Sequence, residues 1–334
     1  MRFVIYGDER RIGLLENATV IDVAEATKSY LGGKINASQA EIAAALARTT
    51  SLAGFIEGGR RTLDLTRAAG DYARAEGLLQ KASDLKLRAP WPGRRIACIG
   101  ANFAEHIAHF MQNSGKPASL EDVYKGMRAD GRPKGFWKIG HEVCGPNDDI
   151  VYPGRATRLD YEGEAAIVIG RKGVDIKSRE LKDYVWGVVL CNDWSVRDME
   201  AGMNVPLPNP LSFNLMKNFD CSASVGPYIA VEECAPEAID VIVTVNGAER
   251  QRFNTGSMVY TWGETLEYLS ADLTLVPGDL MFSGTGKGTV ADSCRYTAEG
   301  GFDSAGFLQP GDVVEVSSPQ LGSLRNRIVA KRRK

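Results

Sequence analysis

The chain has 334 residues, 44% of them hydrophobic and 25% charged, with 40 basic side chains against 42 acidic ones and a net charge of -2. That length buries one large core or two smaller ones, and the composition is that of an ordinary globular protein. So small a charge gives no electrostatic case for nucleic acid or an anionic membrane, and the basic tail 331–334 reads as a solvated, frayed end.

The opening Met1-Arg2-Phe3-Val4-Ile5-Tyr6 is broken by Gly7-Asp8-Glu9 too soon for a signal peptide. No apolar run approaches the ~20 residues that span a bilayer. Six cysteines, at 98, 144, 191, 221, 234 and 294, include no C-x-x-C pair. Neither a disulfide framework nor a zinc knuckle is therefore expected, and a cytoplasmic location is. Strands are predicted at 2–6, 11–15 and 19–23, the first two joined by a Gly7–Arg10 turn. A helix follows over 38–46, with Ser38 as N-cap and Glu41 completing a capping box. A second, alanine-rich helical segment covers about 63–83, and Ala89-Pro90-Trp91-Pro92-Gly93 marks a boundary. Nothing titratable clusters before it, so residues 1–90 read as a small structural unit.

A strand over 95–100 runs into a short helix carrying His106 and His109 on one face. The polar stretch 112–135 reads equally as a mobile lid and as a surface excursion. From 140 to 325 strand follows strand, at 143–151, 165–169, 185–191, 225–231, 239–245, 274–276, 280–283 and 313–317, with one helix at 261–270. This pattern predicts a β-rich core, not a doubly wound sheet.

Leu159-Asp160-Tyr161-Glu162-Gly163-Glu164-Ala165-Ala166-Ile167-Val168-Ile169-Gly170 carries the chemistry. Side chains two apart in a strand share a face, so Glu162 and Glu164 project together. Two such charges about 4 Å apart repel by roughly 4 kcal/mol at an effective dielectric of about 20, and a cation is the expected remedy. Asp193 closes a second apolar strand at Asn192-Asp193. Three carboxylates without cysteine favour a hard ion, Mg2+ or Mn2+ with Ca2+ also admissible, leaving positions for water or a chelating substrate.

Five short elements in this order resemble the fumarylacetoacetate hydrolase family: Asn102-Phe103-Ala104-Glu105-His106, Asp160-Tyr161-Glu162-Gly163-Glu164-Ala165, Asn192-Asp193-Trp194-Ser195-Val196-Arg197-Asp198, Lys217-Asn218-Phe219-Asp220 and Ser283-Gly284-Thr285-Gly286-Lys287-Gly288. The resemblance covers about 95–325. It implies an α+β, β-rich fold, a mixed β-sandwich roll of the fumarylacetoacetase C-terminal type over 94–330 behind a small N-terminal α+β domain. It further implies a homodimer and a 2-oxo acid or β-dicarbonyl substrate chelated to Mg2+ or Mn2+ on Glu162, Glu164 and Asp193. By the same resemblance His106 is the general base, Lys217 stabilises enolate or oxyanion charge, Arg197 stands near the substrate, and the Gly284-Thr285 turn holds the substrate carboxylate through the threonine hydroxyl or the backbone. An ordinary imidazole, with a pKa of about 6.5, suits the base.

Two positions depart from the family pattern. His109 stands where hydrolytic members commonly carry the glutamate that orients the base; an imidazole supplies no anion to an imidazolium. Glu200 stands where glutamine is frequent, beside the substrate. His141 reads as structural. The function expected is C–C hydrolysis of a β-diketone acid or acylpyruvate in catabolism of aromatic or sugar-derived compounds. The alternatives are a 2-oxo acid decarboxylase, isomerase or hydratase on the same metal site, and a non-catalytic binder of metal and oxo acid. A glycosidase is disfavoured, because carboxylates on one side of a site cannot flank a scissile bond.

Overall fold

The structure, a computed structural model, describes residues 1–139, 142–198, 210–295 and 306–331, with backbone alone for 210–213. His141, Glu200 and residues 332–334 lie outside the described residues. Helices combine with two large sheets, the α+β, β-rich class expected from the sequence. Among the described residues, eleven strands form one mixed sheet. Ten of them follow the order Gln80–Lys81, Thr19–Asp22, Arg11–Glu16, Arg2–Tyr6, Ala223–Ala230, Val185–Asp193, Gly163–Ile169, Leu280–Phe282, Ile96–Gly100 and Lys134–Lys138. Leu87–Arg88 pairs beside Arg2–Tyr6. A second sheet runs Ala248–Asn254, Asp240–Val245, Val313–Ser318, Gly322–Val329 and Asp149–Val151.

Gly163–Ile169 lies at the centre of the larger sheet and is buried along its whole length, between antiparallel Val185–Asp193 and Leu280–Phe282. A strand covered on both faces needs a continuous apolar run, and Ala-Ala-Ile-Val-Ile supplies it. Alternation sorts its side chains. Ala165 enters the core shared with the second sheet, alongside Leu190, Val243 and Val316. Ile167 and Ile169 pack with Trp262 and Leu266 of the helix Trp262–Ser270. On the opposite face, Ala166 and Val168 join Phe3, Phe55 and Trp186 beneath the N-terminal helices. Gly163 has no such choice: a Cβ there would stand 2.2 Å from Val243 Cγ2. The glycine between the two glutamates is what lets the second sheet close against this strand.

The first residues extend the same sheet, Arg2 and Phe3 pairing with Ala230 and Ile229. Helix Gln39–Thr49 carries the expected Ser38–Glu41 capping box. The following long helix is Gly59–Ala75, shorter at its end than the 63–83 expected, because Gly77 at φ +70° turns the chain out of it. The polar stretch 112–135 contains a helix, Leu120–Ala129, capped by Ser119. The strand expected over 143–151 contracts to Asp149–Val151, since Asn147 at φ 63° and the Gly145 N–H bonded to Asp148 make a turn before it. A strand that the sequence did not announce, Ala248–Asn254, completes a hairpin after Asn246-Gly247.

The cysteine expectation needs correction. Cys144 and Cys221 form a disulfide across 77 positions, with Cα atoms 5.2 Å apart. Sequence spacing carries no signal for it, because the pairing of Cys144 with Ser224 that juxtaposes the two segments is tertiary. Cys98 and Cys191 are buried free thiols. Among the described residues no helix is long and apolar enough to cross a membrane.

Candidate active site

Glu162, Glu164 and Asp193 are all buried, and one ligand atom from each lies within 4.8 Å of the others. Backbone register brings them together: Gly163 pairs with Asn192, and the Asp193 N–H donates to the Glu162 carbonyl at 2.9 Å. Asn192 Oδ1 in turn accepts from the Glu162 N–H at 2.9 Å. The strand ends are thus locked at the position where the three carboxylates converge.

Three cations press on the cluster. Lys217, at the end of the helix Pro210–Lys217, donates to Glu162, to Asp193 Oδ2 at 3.1 Å and to Ser195 Oγ at 2.5 Å. Lys138 Nζ stands 2.6 Å from Asp193 Oδ1 and donates to the Lys217 carbonyl at 2.6 Å. Arg197 reaches Glu162 Oε1 at 2.5 Å and Asp160 Oδ2 at 3.0 Å. Burial would raise the Glu162 carboxyl, but Lys217 and Arg197 outweigh it and hold it well below the usual carboxylate range. Glu164 behaves oppositely: burial, then the charges of Asp193 and Glu162, push it far up. Its one carboxylate contact among the described residues is the Gly284 N–H at 2.7 Å. Burial lowers the Lys217 ammonium, and Asp193 and Glu162 more than restore it.

The donor set fits a hard divalent cation. It is all oxygen, and among the described residues Asp193 Oδ1 accepts no well-aligned hydrogen bond despite the nearby ammonium. Counting Asp160, four carboxylates face three cations among the described residues, and of these Glu164 is the one without a counter-charge. A divalent ion on Glu162, Glu164 and Asp193 would answer that deficit.

His106 and His109, on the helix Ala104–Asn113, both turn Nδ1 toward Asp292, at 2.7 and 3.3 Å. Asp292 is fully buried on the short helix Val290–Ser293, and also accepts from Gly288 N–H at 2.9 Å and from Ser293 Oγ at 2.9 Å. Burial would raise its carboxyl; the His106 contact and the other donors hold it below its ordinary value. The expectation that no anion attends His106 is therefore corrected: the carboxylate arrives from a different segment. A Thr289-x-x-Asp292 capping pattern, with the Asp292 N–H on Thr289 Oγ at 3.1 Å, announces that helix, but nothing in it announces the histidines.

The turn after Leu280–Phe282 is also built from below. Gly284, at φ +79°, lies where a Cβ would meet the Ile99 carbonyl at 2.6 Å. Thr285 Oγ1 donates to the Gly163 carbonyl at 2.9 Å and accepts from Gln251 Nε2 at 2.9 Å, so its hydroxyl proton is already committed. Of the two ways in which this threonine was expected to hold a carboxylate, the backbone N–H remains. Sequence reasoning passed over Lys138, Asp292 and Gln251, because a lone lysine, aspartate or glutamine carries no periodic or spacing signal.

Residues 95–329 match the family described as fumarylacetoacetate (FAA) hydrolase C-terminal. Oxaloacetate tautomerase YisK of Bacillus subtilis is 30% identical over 253 residues, which is 74% of this chain and 74% of that protein. The crystal structure of a 2-hydroxyhepta-2,4-diene-1,7-dioate isomerase from Mycobacterium marinum is similar at 28% identity, with a TM-score of 0.58, over 77% of this chain and 82% of its own. Maleylpyruvate hydrolase from Sphingobium sp. SYK-6, solved with manganese(II) and pyruvate, shares the fold at 22% identity and a TM-score of 0.68, over 99% of this chain and all of its own.

Proposed function

The chain belongs to the fumarylacetoacetate hydrolase family, and on that premise we propose that it is a Mg2+- or Mn2+-dependent hydrolase that cleaves a C–C bond in an acylpyruvate or related β-diketone acid. The observation that carries hydrolysis is the buried Asp292 carboxylate on His106, which equips the imidazole as a base. Bound by Glu162, Glu164 and Asp193, the ion would polarise a chelated dicarbonyl as a Lewis acid. His106 takes a proton from water through its outer nitrogen while Asp292 holds Nδ1–H and balances the charge that develops. Water adds to the acyl carbonyl, the C–C bond breaks, and its electron pair passes to the pyruvyl enolate. Lys217 faces that developing negative charge, and the Thr285 backbone N–H is the donor for the substrate carboxylate, the Gly284 N–H being held by Glu164. His106 then returns the proton, giving pyruvate and a carboxylic acid. A cleft of about 480 Å3, lined by Phe103, Tyr124, Phe253, Gly286 and Lys287 among others, offers apolar room for the acyl end. The working species is proposed as a homodimer.

A second chemistry on the same site, tautomerisation or isomerisation of a 2-oxo acid, is favoured by the YisK relationship and by His109, a second imidazole on Asp292. A panel of acylpyruvates and oxaloacetate, followed for pyruvate, acid, CO2 and enol signal, separates the two. Pyruvate and acid in equal amounts, abolished in Glu164→Ala, is the hydrolytic result. Interconversion without bond cleavage would replace it with the second chemistry.

A further inference from the structure

An unbroken set of buried and part-buried contacts joins the carboxylate trio to the histidine pair, and at its middle stands Asp160, which the proposed reaction does not use. Asp160 is fully buried and lies two residues before Glu162, in the short pairing of Leu159–Asp160 with Ser195–Val196. Toward the trio, Oδ2 accepts from Arg197 Nε at 3.0 Å, and the same guanidinium donates to Glu162 Oε1 at 2.5 Å. Toward the histidines, Oδ1 accepts from the Val290 N–H at 2.9 Å and Oδ2 from the Ala291 N–H at 3.0 Å. Val290 and Ala291 open the helix Val290–Ser293, and the next residue is Asp292, which holds His106.

A helix of four residues has no stability of its own; its place is set by what grips it. Thr289 caps it from within the same segment, and Asp160 ties it to the metal side of the site. We propose that Asp160 is a positioning residue, fixing where His106 stands relative to the carboxylate trio by holding the helix that carries Asp292 against Arg197 and Glu162. This rests on His106 as the base. A displacement of about 1 Å at a reacting group costs on the order of 10²-fold in rate, so the effect belongs in kcat. A residue that merely caps the helix would affect stability alone.

Two variants test it. Asp160→Asn removes the charge and turns a donor toward backbone N–H groups. Val290→Pro deletes one N–H contact and leaves Asp160 on Arg197; proline suits the first helical position, and Thr289 is already extended at φ -64° and ψ 161°. The chain has three histidines, so the hydrogen-bonded imidazole N–H resonance of His106 is assignable by comparison with His106→Gln. In Val290→Pro, calorimetry with Mn2+ alone should stay within about threefold of the parent, kcat should fall about tenfold with KM changing less, and the His106 resonance should move. Asp160→Asn should lower kcat by about 10²-fold. Unchanged kcat and an unmoved His106 resonance in either folded variant would overturn the proposal, as would Mn2+ affinity and kcat falling in parallel with the resonance unmoved. Should the parent turn over no oxo acid, the functional assignment fails, while the resonance and Mn2+ arms still decide the role of Asp160.

Discussion

Glu164 is 1% exposed, and among the described residues no lysine or arginine pairs with it, while Glu162 two positions earlier has both. That asymmetry is the residue-scale reason for placing a cation here. Glu164→Gln keeps the shape and removes the charge, so Mn2+ affinity by calorimetry should fall by about 10²-fold or more. Asp292→Asn should leave Mn2+ binding intact and lower kcat by about 10²-fold or more, the usual worth of general-base catalysis; an unchanged kcat would remove His106 from the mechanism. The trio was legible in the sequence because each member sits at a strand position whose direction is fixed by a period of two or by a strand end. Asp292 was not, because 186 positions separate it from His106 and only the folded chain joins them. His109 looked like a lost carboxylate, whereas it is a second ring on a carboxylate supplied from elsewhere.

At the scale of elements, the strand Gly163–Ile169 is held in register by its contact with the second sheet. Gly163→Ala would force Val243 and Val316 away, costing about 1–3 kcal/mol as overpacking does. Thermal unfolding should show that loss, together with weaker Mn2+ binding, since the carboxylates on either side move with the backbone. Helix Val23–Ser29 offers a pH test remote from the site. Asp22 caps it and accepts from Arg11 at 2.5 Å and from Tyr6. Burial would raise the Asp22 carboxyl, but Arg11, Tyr6 and the Glu25 N–H hold it below its ordinary 3.8. Its stabilising contribution is therefore present above that value and is lost as pH falls through the lower folded one. Tyr6 is pushed up to about 12 from 10.0 by burial and by Asp22, so its share fades only as pH rises through that range. An acid titration of stability should lose this component in Asp22→Asn; an identical acid limb in the variant would contradict the assignment. The element types of the β-rich half were readable from alternation and turns. Helix Leu120–Ala129 was hidden by a polar composition, and the bounds of Gly59–Ala75 by a glycine whose φ no pattern reveals.

Across the whole molecule, the N-terminal residues complete the larger sheet: Arg2–Tyr6 covers the edge of Ala223–Ala230, and Phe3 and Phe55 pack on Trp186. The two units proposed from the sequence, 1–90 and 94–330, meet along that pairing, so a chain beginning at residue 94 should aggregate through the bared edge. The Cys144–Cys221 bond closes a covalent loop across 77 positions and ties the chain beyond Lys138 to the chain beyond Lys217. A loop of that length is worth roughly 4 kcal/mol by the chain-entropy account, so Cys221→Ser should lower the melting temperature without abolishing Mn2+ binding. In the proposed reaction the ion and the base act together on a chelating oxo acid. The most direct test of this is to titrate Mn2+ into chelator-treated enzyme while following pyruvate release from an acylpyruvate. Release should be absent without metal and saturate at about one Mn2+ per chain, the occupancy that a single carboxylate trio allows; full release from the stripped enzyme, or none from the saturated one, would contradict it.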